Sequence, residues 1–435
     1  MPSRLVLIAA ILLAGPAAAE NWPQWRGPHF NGSTTEQDLP VEWSQTDNVV
    51  WSVDMPGPSA ATPVVWGHRV FVSSTDTEKE TLKALCYDLR SGRLIWQDDA
   101  SKGLFKDVRS YYSAPSPATD GNIVAFFYGN GDLIVYDLDG KQQWKKNVGP
   151  FAFGWTFSTS PLLHDGKLYL QILQRNEPVE GRGGTYENKS HLLCLDPGTG
   201  KELWRNERPS KAVRESLEAF TSPVPFSHAG RNEILVAGGD ALTGHDPESG
   251  DELWRWGTWN PSREGHWRLV PSPVASDDTI LVCAPKDHPV YAVKAGGSGW
   301  LGDEGLLWSS HRTREVSSDV PTPAFYDGDF FVLNKKRPSS LSRVEPRTGK
   351  VKWTTRQLGR AEHEASPTAA DGKLYLINFD GDVTVIRAED GQVLATNPME
   401  PNKTKDIIRS SIVATQGHLL IRTNSKLYCV RKEEQ

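Results

Sequence analysis

The segment Ser160-Pro161-Leu162-Leu163-His164-Asp165-Gly166-Lys167-Leu168-Tyr169-Leu170, with its sequel Cys194-Leu195-Asp196-Pro197-Gly198-Thr199-Gly200-Lys201-Glu202-Leu203-Trp204, decides the fold. Its first phrase is a Ser/Thr-Pro pair, a short apolar run, an Asp-Gly turn and a β-rich run. An Asp-Gly pair between two apolar runs signals a hairpin, because both residues tolerate the positive φ of a tight turn. The second phrase ends a strand at Asp196, turns at Thr199-Gly200 and opens a strand carrying Trp204. The segment therefore reads as four short strands.

Outward from this unit, the first phrase recurs at Thr62-Pro63, Ser116-Pro117, Ser222-Pro223, Ser272-Pro273, Thr322-Pro323 and Ser366-Pro367, at intervals of 44 to 62 residues. A weaker eighth copy reads Ser410-Ser411-Ile412-Val413, with Ser411 in the place of the proline. The second phrase recurs as Asp88…Gly92…Trp96, Asp137…Gly140…Trp144, Asp246…Gly250…Trp254 and Glu345…Gly349…Trp353. An insertion around Gly296–Gly305 separates Tyr291-Ala292-Val293 from Trp308, and Ala395 stands where the seventh unit should have its Trp. Four strands repeated with a period near 45–50 residues are the mark of propeller blades. A sandwich would not reuse the same turn words in unit after unit.

The last unit ends after its third strand, Lys426-Leu427-Tyr428-Cys429-Val430. The missing Trp strand stands at the other end of the chain, as Asn48-Val49-Val50-Trp51-Ser52-Val53. The expected architecture is an all-β, eight-bladed propeller of four-stranded antiparallel blades. The N-terminal strand closes the ring on the last blade, which also protects sheet edges. Residues 45–435 form this single domain, 20–44 a leader segment and 1–19 a signal peptide. Arg4 supplies the positive region, Leu5 to Ala14 the apolar run, and Ala17-Ala18-Ala19 the small-residue cleavage site. No other stretch approaches the roughly 18 apolar residues of a membrane span. The chain is thus expected in the periplasm or outside the cell, cleaved near Ala19, without a transmembrane segment.

The chain of 435 residues carries a net charge of −6 and 23% charged residues. An acidic balance argues against nucleic acid as partner, since phosphates demand a basic face. The 16 Trp stand out against 3 Met and 4 Cys. Trp51, Trp96, Trp144, Trp204, Trp254, Trp308 and Trp353 share one repeat slot, so most of the excess is architectural.

These repeats resemble the PQQ-like, or quinoprotein alcohol dehydrogenase-like, β-propeller family, whose motif runs Ala-x-Asp-x-x-Thr-Gly-x-x-x-Trp. The resemblance covers about residues 45–435 and implies that the slot tryptophans dock each blade on the glycine turn of the next. Within the family the chain looks most like the secreted, BamB-like branch, a non-enzymatic scaffold of the cell envelope. The quinoprotein dehydrogenase branch would imply PQQ with calcium over the ring axis, but its vicinal cysteine pair is absent here. The Trp22-Pro23-Gln24-Trp25-Arg26-Gly27-Pro28 phrase looks like the leader of secreted propellers of the superfamily.

No metal spacing, nucleophile elbow, P-loop or dinucleotide fingerprint stands out, so no metal or catalytic residue is assigned. Cys86, Cys194 and Cys429 occupy one repeat position on separate blades, too far apart for bridges, and all four cysteines read as buried free thiols. Asp380-Gly381-Asp382 reads as a hairpin turn, and Glu362-His363-Glu364 as a solvated connector. Blade-to-blade connectors lead into the innermost strands, so their ends should ring the channel mouth. Five residues before each proline stand Tyr112, Thr156, Glu218, Arg268, Ser318 and Glu362, with Trp155, His266, Trp267, Asp319, His363 and Arg409 as neighbours. From these, Tyr112, Trp155, Glu218, Trp267, Arg268, Asp319, Glu362, His363 and Arg409 are the candidate ligand site. Trp256, Trp259 and Trp267 are candidate exposed contacts, Arg175–Lys189 an exposed hairpin tip, and Asn206–Phe220 a segment holding a short helix.

The expected function is a monomeric, non-enzymatic binding or scaffold protein that needs no cofactor. It would take an envelope protein, peptide or polymer on its face loops. The alternative is a PQQ-dependent oxidoreductase acting on an alcohol or sugar.

Overall fold

The computed structural model describes residues 20–432, except 106, 108–109, 181–183, 258, 287, 312–314, 336–337, 357 and 400–407. The expected signal peptide, 1–19, lies outside the described residues. The chain forms eight sheets arranged as the blades of a propeller. Blade 1 comprises Val64–Trp66, Arg69–Asp76, Thr81–Asp88 and Leu94–Lys102, paired antiparallel in sequence order. Blades 2 to 7 repeat this order.

Blade 8 takes Val413–Thr415, His418–Arg422 and Lys426–Arg431 from the C-terminus and Val49–Asp54 from the N-terminus. Trp51 pairs with Cys429 and Val53 with Leu427 across this closure. The register of blade 8 corrects one reading of the sequence. Val413 pairs with Leu420 as Val64 pairs with Phe71, so Ser411 fills the Ser/Thr slot and Ile412 the proline slot.

That slot has a structural reason. In seven of the eight blades the backbone N–H of this Ser/Thr donates to the hydroxyl of its counterpart in the next blade. The links run from Thr62 through Ser116, Ser160, Ser222, Ser272 and Thr322 to Ser366, and from Ser411 back to Thr62, at 2.8–3.0 Å. These amides are buried at the axis, where an unpaired donor would cost about 1–3 kcal/mol. The repeated hydroxyl supplies the acceptor that neighbouring strands cannot.

The tryptophans stitch the blades together at larger radius. Trp51, Trp96, Trp144, Trp204, Trp308 and Trp353 lie against Gly92, Gly140, Gly200, Gly250, Gly349 and Gly391 of the following blade. Gly140 and Gly200 have φ of +90° and +69°, and a Cβ at either would fall under 3 Å from an indole. Glycine is thus needed twice over, for the backbone and for the contact. Trp254 departs from this docking. Its Nε1 donates to Glu233 Oε2 at 2.6 Å within its own blade. The Gly296–Gly305 insertion has replaced the turn it would meet, and Gly299–Leu301 instead adds a fifth, parallel strand beside Trp254–Trp256. Trp256, Trp259 and Tyr291 pack together at this interface, with ring centroids 5.4–6.4 Å apart. Trp256 and Trp259 are buried, which overturns their reading as exposed contacts.

The leader crosses the ring on the face of the hairpin turns. Trp22 bridges Val65 of blade 1, Pro23 accepts the N–H of Thr119, Asn31 that of Phe325, and Gly32 that of Ala369. Arg26, fully buried, donates to the carbonyls of Pro323 at 2.8 Å and Pro367 at 3.2 Å. Cys86, Cys194, Cys283 and Cys429 are buried and free. The short helix is a single 3-10 turn, Arg214–Leu217.

Candidate functional site

Three tiers of side chains build a funnel down the propeller axis, open on the connector face. The middle tier comes from one position, three residues before the proline slot of every blade. It reads Ala60, Ala114, Ser158, Phe220, Val270, Val320, Glu364 and Arg409. This position lies two residues before the hydroxyl belt, and side chains two apart on an extended strand share a face. Six of the eight are small or apolar; the two charged ones sit on neighbouring blades.

Below this ring are the belt residues Ser116, Ser160, Ser222 and Ser366, and below them Trp25 of the leader closes the channel. Above it, the rim consists of Asp107, Ser110, Trp155, Thr156, Arg268 and Lys335. The upper chamber holds about 110 Å³ and the lower about 90 Å³.

The charged groups are locked to one another. Glu364 accepts Lys335 Nζ through Oε1 at 2.9 Å and Arg409 Nε through Oε2 at 2.6 Å. Burial alone would raise the Glu364 pKa, but the charges of Arg409 and Lys335 outweigh it and hold it below the usual carboxylate value. Lys335 also reaches Asp319 at 3.1 Å. Burial works against its charge, yet Glu364 and Asp319 prevail and raise its pKa. Arg268 lies 5.6 Å over the Trp155 ring and 3.5 Å from Glu215, which also accepts the Trp155 indole N–H at 2.9 Å. Asp107 accepts the N–H groups of Ser110 at 2.7 Å and Thr156 at 2.6 Å.

Of the candidates read from the sequence, Trp155, Arg268 and Arg409 line the funnel. Asp319 stands behind Lys335, and Tyr112 stacks on Phe105 at 5.3 Å, away from the wall. Trp267 packs on His288 at 4.1 Å. Glu218 is fully buried, accepting Gly154 N–H at 2.8 Å and Arg175 Nε; burial pushes its pKa up to about 7 against the opposing charge of Arg175. Glu362 lies outside the wall, its carbonyl accepting Phe379 N–H. His363 is buried with both ring nitrogens unpartnered, and burial lowers its pKa to about 4. The 362–364 stretch is therefore no solvated connector at His363 and Glu364.

Sequence reasoning missed Asp107, Ser110, Lys335 and Glu364. Lys335 follows the second strand of blade 6, Asp329–Asn334, and loops there open on the same face as the connectors. Counting back three residues instead of five from each proline would have found Glu364.

The fold and funnel define a class: a PQQ-type propeller with its axial site on the connector face. A family model described as outer membrane protein assembly factor BamB matches residues 32–172, 180–300 and 301–435, and the chain belongs to that family. It is 24% identical over 385 residues to quinoprotein alcohol dehydrogenase PedH of Pseudomonas putida, which covers 80% of this chain and 61% of that protein. It thus spans about three fifths of that relative's length. It is 25% identical over 293 residues to BamB of Burkholderia pseudomallei, covering 59% of this chain and 69% of that one. Among solved structures, a europium-containing methanol dehydrogenase superposes with a TM-score of 0.69 at 11% identity, covering 92% and 89% of the two chains. BamB from Moraxella catarrhalis gives 0.62 at 12% identity, covering 88% and 99%. Both share the fold.

PQQ is a tricyclic quinone with three carboxylates, and the residues here do not suit it. The 110 Å³ chamber is closer to the roughly 150 Å³ cavity that takes one benzene ring. Arg268, Lys335 and Arg409 are each already matched to a carboxylate of the protein. Among the described residues the wall carboxylates Asp107 and Glu364 are likewise engaged, which leaves a calcium ion no pair of free carboxylate ligands. No helix among the described residues is long and apolar enough to cross a membrane.

Proposed function

We propose that the protein is an exported, monomeric, non-catalytic binding propeller of the cell envelope, which takes a protein, peptide or polymer on its connector face. The observation that carries this reading is the self-neutralised funnel. Its carboxylates and cations are spent on one another, so among the described residues neither a free general base nor an unmatched cationic cradle for a quinone faces the chamber. Trp267 and the tip residue Tyr186, 80% exposed, supply aromatic surface on the same face. Family membership supports the same reading, since the matched family is described as an outer membrane assembly factor.

The quinoprotein reading keeps one supporting observation, the similarity to PedH along most of the chain. Reconstitution with PQQ and calcium, followed by dye reduction on alcohols and sugars, separates the two. The binding reading expects no turnover, and photo-crosslinking in intact envelopes that a Trp267→Ala change weakens. Turnover after reconstitution, or a crosslinking pattern indifferent to Trp267, refutes it.

A further inference from the structure

Residue 20, where the leader starts, is fastened by every polar group it owns. Its backbone N–H donates to Glu36 Oε1 at 2.6 Å, and its carbonyl accepts Thr415 Oγ1 at 2.5 Å. Its carboxylate accepts Thr34 Oγ1 at 2.5 Å and Thr35 N–H at 2.7 Å. The next residues hold the same line: Asn21 accepts the N–H of Gly67 at 2.8 Å, and Trp22 bridges Val65. Glu36 is the acceptor at the centre of this corner. It is 8% exposed, and its Oε2 accepts the N–H of Gly417 on blade 8 at 2.8 Å. Glu218, Glu233, Asp329 and Glu364 are buried too, and each faces a cation: Arg175, Arg231, Arg343 and Arg409. Among the described residues the Glu36 carboxylate meets only two backbone N–H groups and no Lys or Arg, although a carboxylate is seldom buried unless paired. The other titratable groups around it are the Glu20 carboxylate, 3.4 Å from His29, and His418 with Arg431 behind it. Burial lowers the His418 pKa, so its ring is neutral at pH 7.

The missing cation is one bond away. The small-residue cleavage motif Ala17-Ala18-Ala19 ends at the peptide bond whose nitrogen donates to Glu36. We propose that hydrolysis of the Ala19–Glu20 bond creates the counter-ion of Glu36, and that this pair latches the leader to blade 8 in the exported chain. Water adds across the bond, its oxygen completing a carboxylate on Ala19 and both its protons passing to the nitrogen of Glu20, which becomes an α-ammonium. The nitrogen need not move, because the carbonyl and carboxylate of residue 20 stay anchored on Thr415, Thr34 and Thr35. A neutral donor thereby becomes a full charge on a buried carboxylate, and charge-assisted hydrogen bonds are about twice as strong. The latch secures more than a chain end. The same leader runs on to Trp25, the floor of the channel, and to Arg26, the clamp on Pro323 and Pro367. In the precursor residue 20 is an amide and the charge pair is lacking, so the fold tightens only on processing. The inference rests on the reading of an exported chain and adds the bond at which that chain is processed.

Two forms of the chain test it, released from a removable tag so that one begins at Glu20 and the other at Ala17. The second keeps the Glu20 nitrogen as an amide and moves the charge three residues away. The α-amine pKa is read from the pH dependence of acylation at the terminal peptide, followed by mass spectrometry. It is expected about 1–3 units above the ordinary 7.7–8.0 in the Glu20 form, and within the ordinary range in the Ala17 form. Glu36→Gln, which keeps an acceptor and removes the charge, should return the Glu20 form to the ordinary range. A pKa raised by folding stabilises the fold fully below the unfolded value, and the effect fades as pH rises through the folded one. The Glu20 form should therefore melt about 2–4 °C above the Ala17 form at pH 7, with the gap closing at alkaline pH. An ordinary amine in the Glu20 form, or equal melting of the two forms, overturns the latch. That comparison decides even where Glu36→Gln fails to fold. The mass of the chain recovered from intact cells then separates the two readings. An envelope chain that begins at Glu20 is expected. An exported chain with another first residue overturns the latch and leaves export standing, whereas an unprocessed chain kept inside the cell overturns both.

Discussion

Replacing Trp51 with alanine probes the closure of the ring. Trp51 is 9% exposed, its indole covers Gly92 of blade 1, and its Nε1 donates to the Leu89 carbonyl at 2.7 Å. Truncating a buried Trp to Ala costs about 3–5 kcal/mol. The upper part of that range applies, because the Leu89 carbonyl loses its donor, worth about 1 kcal/mol. Unfolding entropy of about 2.1 cal/mol/K per residue gives roughly 0.9 kcal/mol/K for a chain of 435 residues. A loss of about 4–5 kcal/mol should therefore lower Tm by about 4–6 °C. Scanning calorimetry with near-UV circular dichroism measures it. Trp300→Ala is the control: Trp300 is 62% exposed on the added strand of blade 4, and its loss should shift Tm by under about 1 °C. If Trp51→Ala melts no lower than Trp300→Ala, the N-terminal strand does not hold the ring shut.

Three further outcomes follow from the same geometry. Gly140→Ala places a methyl 2.6 Å from Trp96 at a φ of +90°, and should cost about 1–3 kcal/mol by denaturant titration; an unchanged midpoint would mean that blade docking yields easily. Glu218 has a folded pKa of about 7, raised above its unfolded value, so it favours the fold at low pH and loses that contribution as pH rises through 7. Wild type should thus lose more stability than Glu218→Gln between pH 5 and pH 8, and parallel pH profiles in calorimetry would contradict this. Thiol titration in denaturant without reductant should count four free cysteines, and fewer would reveal bridges absent from the fold.

The period, the strand count and the ring closure were legible because each is written in local words. Asp-Gly and Thr-Gly fix turns by their own backbone preferences, and a strand that lacks a unit must seek one. The site was only partly legible. Counting five residues back from each proline reached Thr156 and Arg268, because the connectors there still follow the strand into the channel. The same count landed at Glu218 on a fully buried carboxylate and at Glu362 on a half-buried residue outside the wall. The leader reads as an appended phrase, yet it supplies Trp25 as the floor of the channel and Arg26 as a clamp on two blades.

By itself, then, the sequence determined an eight-bladed ring closed by its own N-terminus, together with the spacing of its slot tryptophans, of which all but Trp254 dock on the next blade. Only the tertiary structure decided what faces the axis and how the charges there pair. Glu364, Arg409 and Lys335 meet across three blades, and the hydroxyl belt joins Thr62 to Ser411 across 349 residues. The physical reason is that a strand's pattern reports which side is buried, whereas charge pairing at an axis depends on partners from other blades.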